Sequence, residues 1–582
     1  MARDSSLRKY WRLQKKYLSL FKKEMIFLAI SLFTNLALTL VNPQVIRYYV
    51  DTIATSTDTK TLTYAALIYI GVSLLSHFFY LSALYFGVKI VWGATNRLRF
   101  DLTKHCINLD MTFHNKYKPG EMIERIDGDV LALSNFFSRF TFDLIGSILL
   151  IIGIIVAYFI EGWIFGVAFT GFTIVALIAL YLVRNFTSKY WQKLRDSTAK
   201  LFGFVEEGIT ATEDIQSLGS SNHIMKKFHD YSRVEFGNTI RAEIADWTFR
   251  AVGWGMLSLS VTLVFIICIP LFNNSILSSG TIFMILSYVY LLLRPIQSIL
   301  AQLQVFQQIN ANINRINEFF EVESKIDDQI GEDIPTGKFE LEFNKINFSY
   351  IKEEQVLRNV SFNVHSNRCL GIVGKTGSGK TTIAKLIFRL YEVNKGSIKI
   401  KNKDIKKYNL KSLRNEIEYV TQEVEIFNAS LRDNVTLFNK TVPDELIEEV
   451  LINLGLEKWY NKLPNGLETG ILSEQGLSAG EEQLIALTRA FLKNPQLIVL
   501  DEASSRLDPA TEQLINRALA KLLHGRCSII IAHRLSTLNK VDDILVLEKG
   551  EVLEFGSREE LAKNPDSQFS ILLQKSNEGL LQ

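Results

Sequence analysis

The sequence predicts a multi-domain chain, a six-helix all-α transmembrane domain followed by an α/β P-loop domain. Three observations predict it. Six apolar stretches of bilayer-spanning length fall within the first 300 residues, basic residues are concentrated in alternate connections between them, and a glycine-rich loop follows a short apolar run in the second half. At 582 residues the chain exceeds one compact domain. A net charge of only +3 gives no footprint for nucleic acid as a partner. Cys106, Cys268, Cys369 and Cys527 lie far apart with no CxxC pair, so neither a disulfide framework nor a zinc site is expected.

A helix needs about 20 largely apolar residues to cross the hydrocarbon core. Met25–Ile46, Tyr64–Ile90, Phe140–Ile160, Trp163–Val183, Trp247–Phe272 and Thr281–Ile299 meet that length. A buried soluble helix would explain any one of them, but not six in succession. Arg8, Lys9, Arg12, Lys15, Lys16, Lys22 and Lys23 precede the first stretch and place that end in the cytoplasm. No small-residue cleavage site follows, so an uncleaved span is expected rather than a signal peptide. The second-to-third and fourth-to-fifth connections are long and basic, whereas the others are short and carry few basic residues. Six crossings therefore return the chain to the cytoplasm, as a multi-pass protein of the cell membrane. The two long connections exceed plain loops. Leu98-Leu102-Cys106 and Leu194-Leu201-Val205 keep helical spacing, so the spans are expected to extend into the cytoplasm and turn there. The expected division is 1–325 for the membrane domain, 326–337 for an acidic, breaker-containing linker and 338–582 for the second domain.

Past the linker, short β-type runs alternate with helical patterns. The apolar run Cys369–Val373 reads as a buried strand and enters Gly374-Lys375-Thr376-Gly377-Ser378-Gly379-Lys380-Thr381, followed by Thr382. This fits the G-x-x-x-x-G-K-[ST] pattern. Glycines let successive backbone N–H groups turn toward phosphate, and the following helix adds its dipole. Lys380 supplies a charge to the β- and γ-phosphates, and the Thr381 hydroxyl is a candidate Mg²⁺ ligand. The run Leu497–Leu500 ends in Asp501 and Glu502. At that strand end Asp501 suits the Mg²⁺ shell, and Glu502 is placed to polarise a water for in-line attack. An apolar run ending in two acids is weak alone, because strand ends often carry solvated acids. Together with the phosphate loop it is strong.

With these motifs in order, the half from about Lys338 resembles an ATP-binding cassette nucleotide-binding domain, and the whole chain resembles an ABC exporter half-transporter. The resemblance implies ATP and Mg²⁺ as ligands. It gives Tyr350 the role of stacking on adenine and Gln422, in Tyr-Val-Thr-Gln, that of reaching Mg²⁺ and the attacking water. Ser478-Ala479-Gly480-Glu481 corresponds to the Ser-Gly-Gly-Gln of the family signature. Ser505 and Asp508 match the loop after the catalytic glutamate, and His533 the histidine that contacts the γ-phosphate. Catalytic roles thus fall to Glu502, His533 and Lys380. The resemblance also implies two nucleotide domains paired head to tail, each ATP lying between one subunit's phosphate loop and the other's signature. It places coupling turns near Asn108–His114 and Thr212–Leu218.

The signature departs from the family pattern. Ala479 replaces a glycine, and the added Cβ is expected to restrict φ and ψ where backbone approaches phosphate. Glu481 and Glu482 add carboxylates, and one placed 4 Å from a phosphate charge costs about 4 kcal/mol at an effective dielectric of 20. The expected partner is therefore a different half-transporter with an intact signature, giving one consensus and one degenerate ATP site. A homodimer that tolerates the altered signature is the alternative, with an ATP-gated channel or regulator as a further one. Membrane lipid and an amphipathic small molecule, lipid or peptide complete the expected partners. Charged residues in or near the spans are Lys89, Asp143, Arg250 and Arg294, each either functional or reaching the interface. The aromatics Phe78, Phe79, Tyr80, Tyr85, Tyr288 and Tyr290 are candidates to line a cavity.

Overall fold

The computed structural model of the chain describes residues 15–55, 59–139, 144–274, 276–326, 331–335, 337–351, 354–471, 477–501, 509–532 and 535–577. They form two compact units, one of Met1–Ile107 with Pro119–Val322, the other of Asn108–Lys118 with Glu323–Gln582. The expected membrane domain and the first unit thus differ at 108–118, a segment that packs with the second.

Six long or apolar helices build the first unit: α1 (Lys22–Thr55), α2 (Thr59–Asn108), α3 (Gly146–Glu161), α4 (Trp163–Thr210), α5 (Ser221–Asn273) and α6 (Ser279–Phe320). Five are long and apolar enough to cross a membrane, and α3 is a shorter apolar helix. The expected third span began at Phe140, and residues 140–143 lie outside the described residues, as does Asp143. The helices α2, α4, α5 and α6 run well past the length of a span. Pro43, Pro270 and Pro295 sit inside α1, α5 and α6. Membrane helices tolerate such breaks because neighbouring groups take up the freed carbonyls.

The helices meet through packing and polar contacts, because hydrocarbon surroundings give apolar faces little reason to associate. A core from α3, α4, α5 and α6 surrounds Tyr158, whose ring stacks on Phe169 at 4.5 Å and meets Tyr288 edge-on at 5.8 Å. A polar ladder joins α1 to α2: Ser31 Oγ lies 3.0 Å from Ser82 Oγ, Ser76 donates to Asn35 Oδ1 at 3.0 Å, and Ser73 donates to Asn42 Oδ1 at 3.4 Å. At one end of α1, Asp51 accepts from the Gly280 N–H and the Ser278 hydroxyl, each at 2.8 Å, while Arg47 pairs with Glu161 at 2.7 Å. At the far end of α6, Arg315 grips the buried Asp129 with two guanidinium nitrogens, and Arg125 pairs with Glu318 at 3.2 Å.

The second unit is α/β. A four-stranded antiparallel sheet runs in the order β2–β1–β4–β5, from β1 (Leu341–Ser349), β2 (Gln355–Val364), β4 (Lys395–Ile400) and β5 (Lys403–Asp404). A six-stranded sheet runs β12–β11–β3–β10–β9–β6, from β3 (Cys369–Val373), β6 (Ile417–Val420), β9 (Leu497–Asp501), β10 (Cys527–Ile531), β11 (Asp543–Glu548) and β12 (Glu551–Ser557). All but β12 run parallel, and their near-continuous apolar runs follow from burial on both faces. β11 and β12 form a hairpin whose two turn residues, Lys549 and Gly550, both have positive φ, as a primed turn requires. Two-residue strands β7 (Ala429–Ser430) and β8 (Gly470–Ile471) pair separately. Helices α7 (Lys380–Ile387), α8 (Ala479–Lys493) and α9 (Pro509–Leu523) matter below.

Two segments expected elsewhere pack here. Residues 331–335 of the expected linker are held in place: Glu332 bridges Tyr408, and the Ile334 N–H donates to Ser412 Oγ at 2.9 Å. The short helix Met111–Lys116 is capped by Asp110, which accepts from the Thr112 N–H at 2.8 Å and the Lys325 N–H at 2.7 Å. Met111 leans on the unit's apolar core. The Asp110→Ala variant should lose about 1 kcal/mol at this cap. Amide hydrogen exchange across Met111–Phe113 is then expected to quicken about fivefold, with Lys380–Ile387 unchanged.

Candidate functional site

The candidate site is one edge of the six-stranded sheet. Parallel strands end on the same side, and ligands bind beyond their carboxyl ends. The register sets those ends level: Ile531 pairs with both Ile372 and Asp501, and Val420 pairs with Leu500. The loop after β3, the carboxylate ending β9 and the residues just past β6 therefore share this edge. Gln422, exposed two residues beyond β6, lies there too. Glu502, Ser505, Asp508 and His533 lie outside the described residues.

The loop from β3 to α7 has the shape its sequence suggests. Gly377 and Gly379 have φ of +82° and +104°, a region that L side chains rarely adopt. A Cβ on Gly374 would stand 2.1 Å from the Leu547 carbonyl oxygen, so only glycine fits against β11. Lys380 opens α7 and is 5% exposed. Its ammonium donates to the carbonyls of Gly374 at 2.8 Å and Lys375 at 3.2 Å, which folds it over the loop. The Lys375 side chain instead points outward, 87% exposed and 3.7 Å from Glu548. Ser378 Oγ is buried without a hydrogen-bond partner. An orphaned hydroxyl, a helix N-terminus and a buried cation in one loop are what an anion would satisfy.

Around the loop, the Tyr350 hydroxyl donates to Thr382 Oγ1 at 3.1 Å. Burial raises the phenol's pKa. The Tyr350 ring is held edge-on by Phe348 at 4.9 Å and by Tyr391 at 5.0 Å, yet stays 38% exposed. That leaves it surface on which a base can stack. Tyr391 in turn accepts from Asn115 Nδ2 at 2.5 Å, on the short helix Met111–Lys116.

Asp501 is 3% exposed and accepts from the Tyr419 hydroxyl at 3.1 Å. Burial first, then the Asp501 charge and this hydrogen bond, push the Tyr419 pKa up, so the phenol stays a donor at physiological pH. Among the described residues no cluster of three or more His, Cys, Asp or Glu side chains could hold a metal. A single buried carboxylate and a threonine at one sheet edge fit Mg²⁺, which takes one or two carboxylates with substrate phosphates and water as its other ligands.

The altered signature lies on a different core cluster. Ile383 and Leu386 of α7 belong to one, Leu484 and Ile485 of α8 to the other. Ser478 caps α8 with φ −64° and ψ 152°, and Ala479 is the first helical residue. The restriction expected at Ala479 does not arise, because helical backbone suits alanine; only the methyl group is added. Glu481 is not aimed freely at a ligand either. Its carboxylate accepts from the Ser478 N–H at 2.8 Å, the Ser478 hydroxyl at 3.0 Å and Trp459 Nε1 at 2.8 Å. The first of these, with the Glu481 N–H donating to Ser478 Oγ at 3.3 Å, forms a capping box.

The charged span residues separate clearly. Lys89 pairs with Glu24 at 3.3 Å and Arg250 with Asp246 at 2.9 Å. Arg294 lines a cavity of about 860 Å³, where Tyr80 and Tyr290 also contribute. Tyr288 is core, and Phe78 and Tyr85 are well exposed on the helix surface. Sequence reasoning missed Tyr419, Tyr391, Trp459 and Asn115. Tyr419 had a signal, an aromatic in a short strand three residues before Gln422. The other three meet their partners only through tertiary packing.

A model of the ABC transporter transmembrane region matches residues 25–296, and an ABC transporter model matches residues 357–505. The chain is 28% identical to a putative export ATP-binding/permease protein of Rickettsia typhi over 580 residues, covering 95% of this chain and 96% of that one. It is 28% identical over 552 residues to an ATP-dependent lipid A-core flippase of Pectobacterium atrosepticum, 93% of each chain. A solved bacterial Atm1-family ABC exporter with ATP bound shares the fold, with a TM-score of 0.80 and 20% identity over 96% of this chain and 99% of that one.

Two neighbouring lysines test the site. Lys380→Ala should weaken ATP binding at least about tenfold, the loss of one charge-assisted contact. Lys375→Ala should change it less than about twofold. Equilibrium binding of ATP to the purified full chain checks both.

Proposed function

We propose, from a chain that belongs to the ABC transporters as one membrane region fused to one ATPase domain, that ATP hydrolysis at a two-subunit interface drives export or leaflet flipping of an amphipathic molecule by alternating access. One observation carries this reading. The Gly374–Lys380 loop brings a buried ammonium and an unpartnered Ser378 hydroxyl to a helix N-terminus, the binding half of a triphosphate site. Names among the relatives, an export permease and a lipid A-core flippase, support the outward direction.

In this reading Lys380 and the N–H groups of Gly374–Thr382 hold the triphosphate, and Tyr350 stacks on the base. Thr381, Asp501 and Gln422 would hold Mg²⁺, which would supply charge neutralisation to the phosphates. Tyr419 fixes the Asp501 carboxylate through its hydroxyl. Glu502 takes a proton from the attacking water, and His533 contacts the γ-phosphate. Closing two domains on ATP must supply about 5.5 kcal/mol of differential binding to switch the transporter from 1:99 to 99:1. Ligand sandwiched between two subunits contacts the closed state far more than the open one. The Tyr350–Tyr391–Asn115 chain offers one route from the base to the Met111–Lys116 turn. The turn helix Thr212–Ser217, beside the 76% exposed Leu218, offers a second coupling surface.

The partner is proposed to be a different half-transporter. Its intact signature would complete the site built on Lys380 and Glu502, while Ala479 and Glu482 weaken the other site. A homodimer is the second reading, and a specific observation favours it: Ala479 sits in ordinary helical backbone, and Glu481 is engaged by its own cap. ATPase activity decides between them. The chain purified alone is expected to turn over ATP at a small fraction of the rate of the co-purified pair. Full activity of a two-fold dimer of this chain would establish the homodimer.

A second expectation concerns the base. Glu502→Gln should cut ATP turnover by about a hundredfold or more, while ATP still draws the domains together in a distance measurement by paired spin labels. Undiminished turnover would remove Glu502 from the mechanism.

A further inference from the structure

The first unit contains the cavity of about 860 Å³, walled by α1, α2, α3 and α6, a volume within the range of small-molecule sites. Its lining is mostly apolar and aromatic, with Leu32, Leu36, Leu150 and Leu291 among the side chains. One lining residue is charged, Arg294. Among the described residues no carboxylate lies within ion-pair distance of it, unlike Lys89, Arg250, Arg315 and Arg125. Arg294 is 13 residues past the Thr281 start of the expected span, about 20 Å down the helix. It is also five residues, about 8 Å, before the Ile299 end of that span, so its Cα lies inside a hydrocarbon core of about 30 Å. An unpaired cation at such depth is costly and marks a functional position.

The neighbouring polar groups have the same sign of demand. Asn35 and Asn42 line the cavity, and their Oδ1 atoms are occupied by the hydroxyls of Ser76 and Ser73. Their Nδ2 groups make no hydrogen bond within the described chain, which leaves N–H donors facing the space. A guanidinium with two primary amides and no opposing carboxylate calls for an acceptor-rich, negatively charged group. The apolar wall calls for a hydrocarbon body.

We infer that this cavity is the substrate site and that its substrate is an anionic amphipath, with a phosphate or carboxylate head on Arg294, Asn35 and Asn42 and an apolar body along α1, α2 and α3. A cationic amphipath would bring like charge to Arg294, and a neutral one would leave the guanidinium without a partner. This deepens the export reading and rests on it for the word substrate.

Binding to the full-length transporter in phosphatidylcholine nanodiscs without nucleotide tests it, with dodecyl phosphate, dodecyltrimethylammonium and inorganic phosphate as probes. Dodecyl phosphate is expected to bind at least about tenfold more tightly than dodecyltrimethylammonium, and far more tightly than inorganic phosphate. Arg294→Gln should lower dodecyl phosphate affinity about tenfold, and Arg294→Glu should reverse the preference. Equal or tighter binding of the cation to the unsubstituted protein would overturn the inference, whatever the variants do. Inorganic phosphate binding as tightly as dodecyl phosphate would also overturn it, by assigning the site to a free anion. Anion-selective binding in a protein that moves nothing on ATP would leave the inference standing and overturn the export reading.

Discussion

A triphosphate is held at a sheet edge only if several weak positive poles converge there, and most of the second unit is arranged to make them converge. Parallel strands β3, β10, β9 and β6 end level with one another. That register brings a glycine-rich loop, a buried carboxylate and an exposed glutamine to one line. The loop keeps its curvature through left-handed glycines at 377 and 379 and through close contact with the Leu547 carbonyl. Lys380 is buried and held by carbonyls of its own loop, so its charge is in place before a ligand arrives. Pre-positioned donors avoid the ordering cost that a mobile side chain would add on binding.

The membrane unit obeys a different constraint. In hydrocarbon, helix faces gain little by hiding from one another, so polar ladders and close packing fix the arrangement. The Ser–Asn rungs between α1 and α2 do that, and the Tyr158–Phe169–Tyr288 cluster does it for α3, α4 and α6. Ion pairs add to this, Arg47–Glu161 tying α1 to α3 and Arg315 tying α6 to the buried Asp129. Against that background Arg294, which lines a cavity and has no carboxylate partner among the described residues, is an exception, and exceptions of this kind in a bilayer have a use.

Much of this was legible in the sequence because the signals are local. Span length, loop charge and the Gly374–Thr381 pattern each need only neighbouring residues, and the strands Cys369–Val373 and Leu497–Asp501 lie where their apolar runs predicted. The third span coincides with α3 from Gly146 to Ile160, and its expected start at Phe140 lies outside the described residues. The consequence of Ala479 was misjudged because a glycine's conformation depends on its place in an element: at the start of α8 no left-handed backbone is required. Tyr419, Trp459 and Asn115 were invisible because each contact joins residues at least 22 positions apart. Which intramembrane charge lacks a counter-charge was equally hidden, because Glu24 and Asp246 are partners only once the helices form.

The central claim is that ATP is gripped between two chains, with the Lys380 loop of one facing the signature turn of the other. Native mass measurement of the detergent-solubilised transporter in Mg·ATP tests this most directly. The account predicts a particle of two half-transporters that retains nucleotide when free ATP is removed, and single chains that do not. ATP retained as firmly by a particle of one chain would contradict it.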